Sequence, residues 1–288
     1  MLCASSTAMK RSAHAISLAP DAKGWLTNTR HPRILHIFDP ACNLLNERGD
    51  VLSIVTPQIG NGPFNLVVEE NIYFPEHLTL DSPIFNSTAL IKLGELTIHT
   101  TEAKLWNPCP AWEMLNTKRN QILDQIKQLP ITNCLKNSDL PILQSLISNL
   151  ISALAKADIS SAQNVSSKLA GLGPGLTPSG DDFIMGALYA AWIIHPPEVA
   201  SVLARETANT ATPLTTSLSA AWLRAAGRGE AGMVWHEFFD ALRSSDSLRI
   251  QKTLKSILAV GETSGADALA GFIGVFRSWM GEAGSKHG

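Results

Sequence analysis

Short runs of β-branched and aromatic residues alternate with turn residues between about residue 33 and residue 106. Short apolar runs of this kind, bounded by Gly, Pro and Asn, are typical of strands joined by tight turns. This part of the chain is therefore predicted to be a small, mostly antiparallel β-sheet or a barrel-like module. The predicted strands are 33–38, 50–55, 64–69, 87–92 and 95–100.

The hydrophobic period becomes helical after the segment 107–110. Apolar residues then recur every three or four positions, first over 112–129 and again over 143–154. The sequence predicts an α+β protein with a β-rich domain over 1–110 and an α-helical bundle over 111–288. Further helices of the bundle are expected at 160–170, 181–194, 198–210, 214–226, 232–243, 247–260 and 266–280.

One segment shows neither the short apolar runs typical of strands nor the hydrophobic period of a helix. Residues 171–182 read GLGPGLTPSGDD, so three glycines alternate with other residues before a polar run enters an apolar helix. Glycine permits positive φ and close approach of a ligand, and successive N–H groups ahead of a helix can bind an anion. Thr177 or Ser179 is the expected N-cap of the helix, with Pro178 at its first position.

The start of this helix is repeated downstream. Residues 179–186 and 264–271 share the pattern S-G-x-D-x-x-x-G, and each copy opens a helix that is apolar on nearly all sides. Such helices are expected to be buried inside the bundle. In each copy a glycine lies four residues after the aspartate, on the same face. We expect the two helices to cross closely at Gly186 and Gly271, which would bring both loops to one end of the bundle.

The repeat places carboxyl and hydroxyl groups at two helix starts. Asp181, Asp182 and Asp267 are the candidate catalytic residues, because a buried aspartate without partners is costly. No cofactor motif is present; Mg²⁺ is the ion that the pattern allows, held by Asp181, Asp182 or Asp267. The alternative is that Ser and Asp only cap their helices. The candidate substrate-binding residues are Gly173, Gly175, Thr177, Ser179, Gly180, Thr263, Ser264, Gly265, Thr216 and Asn61.

Composition excludes several classes of function. Of the 288 residues 17% are charged and 45% are hydrophobic, with a net charge of −2, which is unlike a nucleic-acid-binding protein. The longest apolar run, 185–194, is shorter than the roughly 20 residues of a membrane-spanning helix. The N-terminal stretch lacks the apolar region of a secretory signal, and the four cysteines are scattered. We expect a cytoplasmic protein without nucleic-acid or membrane partners.

Three motifs of the chain resemble those of the AllH family. Residues 171–182 match the family loop G-x-G-P-G-L-T-P-S-x-D-D, and residues 261–267 match G-x-T-S-G-A-D. The resemblance extends from the strands to the last helix. Position 180 is Gly, where the characterised transferase subunit has His. The third motif, T-T-x-x-S-x-x-x-L-R, is matched by Thr215, Thr216, Ser219, Leu223 and Arg224.

This resemblance implies a subunit of an oxamate carbamoyltransferase, an enzyme of allantoin degradation and purine catabolism that moves a carbamoyl group between oxamate and phosphate. It also implies partner subunits: an FdrA-like chain similar to succinyl-CoA synthetase, and a further subunit. A homo-oligomer is also open. The expected ligand is a small anion, namely carbamoyl phosphate, phosphate or oxamate, held by N–H groups at the glycine-rich helix starts.

Two other functions stay open from the residues alone. The chain carries no recognisable nucleophile or general-base pattern, so one alternative is a non-catalytic ligand-binding or assembly subunit whose FdrA-like partner performs the chemistry. The other is a phosphate-handling enzyme that acts alone on another small carboxylate or a nucleotide. Turnover by the isolated chain would favour the last of these.

Overall fold

The chain forms two compact units that divide between Pro108 and Cys109, each with its own hydrophobic core. The computed structural model describes residues 11–129 and 141–285. Within those residues, no helix is both long and apolar enough to cross a membrane.

The first unit is a barrel-like β-sheet with one α-helix. Within the described residues its strands and α-helix are β1 (Arg11–Leu18), α1 (Pro20–Asn28), β2 (Arg33–Phe38), β3 (Ala41–Leu45), β4 (Val51–Val55), β5 (Asn65–Val68), β6 (Ile84–Asn86), β7 (Leu90–Leu93), β8 (Leu96–His99) and β9 (Lys104–Leu105). The strands lie in the order β2-β3-β4-β5-β1-β8-β7-β6, and β9 pairs with β1.

The strand β1, which the sequence pattern did not predict, lies in the middle of this sheet. Its first half runs parallel to β8 and its second half antiparallel to β5. The buried side chains of its first part are Ala13 and Ala15, whose small size gives little hydrophobic alternation. The predicted barrel-like architecture is confirmed. The sheet is mixed, however, because β1 adds parallel pairs with β8 and β9, and β4 also runs parallel to β5.

The second unit is a bundle of α-helices. The helical character predicted for this part of the chain is confirmed, although the stripe over 112–129 is two helices, because the backbone at Lys118 leaves helical geometry (φ −98°, ψ 8°). Its described helices are α2 (Trp112–Thr117), α3 (Arg119–Gln128), α4 (Pro141–Ala155), α5 (Ile159–Leu169), α6 (Ser179–Ile194), α7 (Pro197–Ala211), α8 (Ser217–Gly227), α9 (Met233–Ser244), α10 (Ser247–Leu258) and α11 (Ser264–Ser285).

The helix α6 lies at the centre of the bundle, as its sequence predicts. Its aliphatic and aromatic side chains are almost all buried, and Ile184, Leu188 and Tyr189 have no exposed surface. Of the described α6 residues, only Ser179 and Met185 are partly exposed. A helix that is apolar on all sides requires neighbours on all sides, and α11 supplies one of them.

The helices α6 and α11 cross with their backbones in contact. A Cβ atom at Gly186 would lie 1.7 Å from the carbonyl oxygen of Ala268, and one at Gly271 would lie 2.1 Å from that of Phe183. Phe183 and Ala268 occupy the same position in the two sequence copies, so each helix repeats the contact of the other. The predicted close crossing at the two glycines is confirmed.

We predict that Gly271→Ala destabilises the second unit strongly, by at least about 2 kcal/mol, since the new methyl group meets backbone that cannot move away. Urea-induced unfolding followed by circular dichroism measures the loss.

Gly274→Ala, on the same helix, is the matched control. Its Cβ would meet the end of the Ile151 side chain, which is free to rotate, so a change below about 1 kcal/mol is expected. Equal losses for the two variants would contradict the backbone contact.

Candidate functional site

The two repeated loops join helices in the same way. The first loop, residues 170–178, leads from α5 to α6, and the second loop, residues 259–263, leads from α10 to α11. The N–H of Gly180 donates to the carbonyl of Leu172 at 2.9 Å, and the N–H of Gly265 donates to that of Val260 at 3.0 Å. The sequence repeat is therefore also a repeated helix–loop–helix structure.

A glycine in the first turn of each helix lets the preceding helix end against it. A Cβ at Gly180 would lie 2.1 Å from the carbonyl oxygen of Leu169, and one at Gly265 would lie 1.8 Å from that of Ile257. A side chain at position 180 is therefore incompatible with this packing of α5 against α6. Farther out, Gly173 and Gly175 have φ of +119° and +90°, as the loop sequence predicts.

The predicted N-caps of α6 are wrong. Pro178 is the N-cap residue, Ser179 is the first residue of the helix, and no side chain caps it. The hydroxyl groups are instead used between the two loops: Thr177 Oγ1 lies 2.8 Å from Ser264 Oγ, and Ser179 hydrogen-bonds to Asp267. A hydroxyl group that bonds to the opposite loop is not free to cap its own helix.

Asp181 is fully engaged in holding the first loop. Its Oδ1 accepts from the N–H of Gly171 at 3.0 Å, and its Oδ2 accepts from the hydroxyl groups of Thr215 and of Ser219, the latter at 2.8 Å. The residue is buried. Three donors on one buried carboxylate give a strong structural anchor. These bonds make Asp181 an anchor of the first loop, and its assignment as a catalytic residue stays a prediction.

The Thr-Thr-x-x-Ser segment braces the same loop. Thr216 caps α8 by accepting from the N–H of Ser219 at 3.1 Å, and its hydroxyl donates to the carbonyl of Leu176 in the first loop. Sequence reasoning treated Thr216 as a candidate substrate contact and missed this role. The sequence signal that could have indicated this role is the spacing of the three hydroxyl residues Thr215, Thr216 and Ser219. Hydroxyl groups so spaced can donate to a buried aspartate such as Asp181.

Asp182 and Asp267 are the equivalent aspartates of the two copies, and each faces a hydroxyl group of the opposite loop. Ser264 hydrogen-bonds to Asp182, as Ser179 does to Asp267. Thr263 of the second loop also bonds to Asp267. Both aspartates are buried, at 5% and 1% exposure, and the Oδ2 atom of each has no hydrogen-bond partner. These two unpartnered oxygens are the least satisfied polar atoms of the crossing.

Burial raises the pKa of both aspartates. For Asp182 the pKa rises to about 7, and the charges of Asp267 and Asp181 add to the effect of burial, whereas hydrogen bonding lowers it. The pKa of Asp267 is also raised by burial, against the hydrogen bonds that its carboxyl group receives. A carboxyl group that titrates near neutral pH can both take up and release a proton, as an acid–base catalyst must.

Asp182 also lines a pocket, together with Thr177 and Ser264. This Asp182 pocket has a volume of about 210 Å³. Asp267 is not among its lining residues, so the two equivalent aspartates have different surroundings. The remaining walls are apolar and include Met185, Trp222, Val234, Trp235, Ile257 and Val260.

The three aspartates do not form one carboxylate cluster. Among residues 11–129 and 141–285, no group of three or more His, Cys, Asp or Glu side chains is arranged to hold a metal ion. Asp181 directs its oxygens to Gly171, Thr215 and Ser219. The assignment of a Mg²⁺ ion to Asp181, Asp182 or Asp267 stays a prediction.

Asn61 belongs to the first unit, ahead of β5, where its Oδ1 accepts a hydrogen bond from the hydroxyl of Ser17 at 2.6 Å. The other candidate site residues lie in the second unit, within or next to the two loops. The assignment of Asn61 as a substrate contact stays a prediction.

We predict that Asp181→Asn destabilises the protein by about 2 kcal/mol, because an amide nitrogen cannot accept the bonds that the carboxylate oxygen accepts. Thermal unfolding measures the loss. The exposed Asp124→Asn controls for the change of charge and is expected to stay within about 0.5 kcal/mol of the parent protein. Comparable losses in both variants would contradict the anchoring role.

Asp182→Asn is predicted to have the opposite effect at alkaline pH. Between about pH 4 and pH 7 the folded protein keeps a proton that the unfolded chain has lost, so stability falls as pH rises through this window. Asparagine resembles the protonated acid and avoids that loss. The variant is expected to gain about 2 kcal/mol more relative to the parent protein at pH 8 than at pH 5. Urea unfolding at both pH values tests this, and a gain independent of pH would contradict the raised pKa.

A comparison with known families places the two loops in context. The model of the AllH family, described as oxamate carbamoyltransferase subunit AllH, matches residues 169–276. This range begins at the end of α5. It includes both loops, the segment 215–219 that braces the first loop (hereafter the brace) and the first part of α11. No solved structure matches the chain. The chain is therefore similar to the AllH family over residues 169–276, as its loop motifs predict.

Proposed function

We propose that this chain is a subunit of a carbamoyltransferase of the oxamate type and that it binds the reacting groups between its two repeated loops. The observation that supports this most directly is the coincidence of the family match with the crossing: residues 169–276 contain both loops and the brace. The Thr177–Ser264 hydrogen bond joins the loops at the edge of the Asp182 pocket.

The first loop supplies groups suited to an anion. Hydrogen bonds among the described residues leave the N–H groups of Gly173, Gly175 and Thr177 unused. They precede the N-terminus of α6, whose dipole favours negative charge. We assign the phosphate group of carbamoyl phosphate to this loop, as the family resemblance predicts.

Asp182 is the group that we assign to proton transfer. When oxamate is carbamoylated, its amide nitrogen forms a bond to the carbamoyl carbon, the bond from that carbon to a phosphate oxygen breaks, and phosphate leaves with the electron pair. The nitrogen loses a proton in the same process. Asp182, with its free Oδ2 and a pKa of about 7, is suited to accept that proton and to pass it to the departing phosphate.

Partner subunits complete the proposal. Leu172 and Val260 occupy the same place in the two loops, and both are exposed, as is Leu214 beside the brace. Apolar side chains at the rim of a site are typical of a surface that a partner covers. The family resemblance implies an FdrA-like partner. A non-catalytic role in ligand binding and assembly is the second candidate, because the same rim supports it equally.

The test is carbamoyl transfer by the chain assembled with its FdrA-like and further subunits, from carbamoyl phosphate to oxamate. Asp182→Asn is expected to lower kcat by at least about 100-fold, since it removes the proton acceptor. In the parent complex the rate is expected to rise with pH through about 7, as Asp182 loses its own proton.

The exposed Asp124→Asn is the control for this assay, and size-exclusion chromatography verifies that each variant assembles. Lack of turnover by a fully assembled parent complex would contradict oxamate carbamoylation. Unchanged kcat in assembled Asp182→Asn would instead favour the non-catalytic role.

A further inference from the structure

The Asp182 pocket is larger and more apolar than oxamate or carbamoyl phosphate requires. An apolar cavity of about 150 Å³ already holds a benzene ring, whereas this pocket measures about 210 Å³. Two tryptophans, Trp222 and Trp235, and the branched side chain of Val234 form part of its wall. The space therefore suits an apolar body and not only a small polar acid.

The charges of the residues that line the pocket also favour an uncharged ligand. Among the described residues that line the pocket none is Lys, Arg or His, and the one ionisable side chain is the acid Asp182. A carboxylate or phosphate group seated here would meet a carboxyl group and no cation, in surroundings that penalise charge. An ammonium ligand would require an isolated ion pair within apolar walls, and the desolvation of both charges offsets much of the attraction.

The polar atoms of the pocket match an amide. Oδ2 of Asp182 is buried, has no partner and needs a donor, which an amide N–H supplies. The hydroxyl oxygens of Thr177 and Ser264 also line the pocket and can accept a second N–H. A primary amide carries two such donors, and it remains uncharged whether Asp182 is protonated or ionised.

We propose that the Asp182 pocket binds an uncharged primary amide with an apolar body, with the amide group lying against Asp182 and Ser264. This deepens the proposed function, because the amide nitrogen then lies where the carbamoyl acceptor is required. It names the acceptor class of this chain as an apolar amide, larger and less charged than oxamate.

Binding to the isolated full-length chain tests the proposal without requiring turnover. The probes are benzamide, benzoate, benzylamine, toluene and oxamate at pH 8, measured by isothermal titration calorimetry and by tryptophan fluorescence, since Trp222 and Trp235 line the pocket. Benzamide is expected to bind at least about tenfold more tightly than each of the others. Equal or tighter binding of any of the other four would overturn the proposal.

A matched pair of variants locates the binding. Ser264→Ala removes a hydroxyl group from the pocket and is expected to weaken benzamide binding by about fivefold. Ser256→Ala removes a hydroxyl group on α10 that donates to the carbonyl of Lys252 and does not line the pocket, and it is expected to leave binding unchanged. Equal weakening in both variants would show a general effect on the fold and would overturn the assignment.

The two proposals fail in different ways. Benzamide binding together with no carbamoyl transfer by the assembled complex to either oxamate or benzamide would remove the transfer function and support the amide pocket. Transfer to oxamate without preferential binding of benzamide would support the transfer function and overturn the amide pocket.

Discussion

The backbone contact between α6 and α11 is the constraint on which the site depends. Helices that carry side chains at the crossing point stay farther apart, whereas Gly186 and Gly271 allow carbonyl oxygens of the opposite helix to occupy the space of a side chain. The two helix starts are thereby held beside each other. In this arrangement Thr177 hydrogen-bonds to Ser264, and Asp182 and Asp267 each bond to the first serine of the opposite helix.

The crossing divides three similar carboxyl groups into different roles. Asp181 is directed away from the opposite loop and receives three donors, which is an ordinary solution for a buried carboxylate. Asp182 and Asp267 each keep an oxygen without a partner. An orphan of this kind costs stability, and proteins retain such costs most often where a ligand later supplies the missing bond. A ligand can supply the missing bond only where there is space for it, and of the two aspartates it is Asp182 that lines a pocket.

Sequence patterns predicted much of this arrangement because the informative features are local. The helical period, the apolar faces of α6 and α11 and the glycines of the crossing are all visible within a few residues. Other features depend on residues far apart in the chain. The strand β1 is an alanine-containing strand that is stabilised by its place between β5 and β8, which no local pattern reports.

The site shows the same division. The sequence marked all three aspartates, but the structural role of Asp181 depends on Thr215 and Ser219, more than thirty positions away. The predicted caps failed for a related reason: Thr177 and Ser179 hydrogen-bond to Ser264 and Asp267 in the first turn of α11. A short motif identifies the polar groups, and only the tertiary crossing decides which groups bond to each other.

A single physical cause accounts for both properties that the Asp182 pocket would bring to the proposed carbamoyl transfer. The chain has few charged residues, and the walls around this aspartate are apolar. Removing water from a carboxyl group raises its pKa toward neutrality, where it is a useful proton acceptor. The same removal of water protects an activated carbamoyl group from hydrolysis and strengthens the hydrogen bonds that orient it. A more polar pocket would lose both effects together, so the composition of the chain and the chemistry proposed for it are linked through the burial of one side chain.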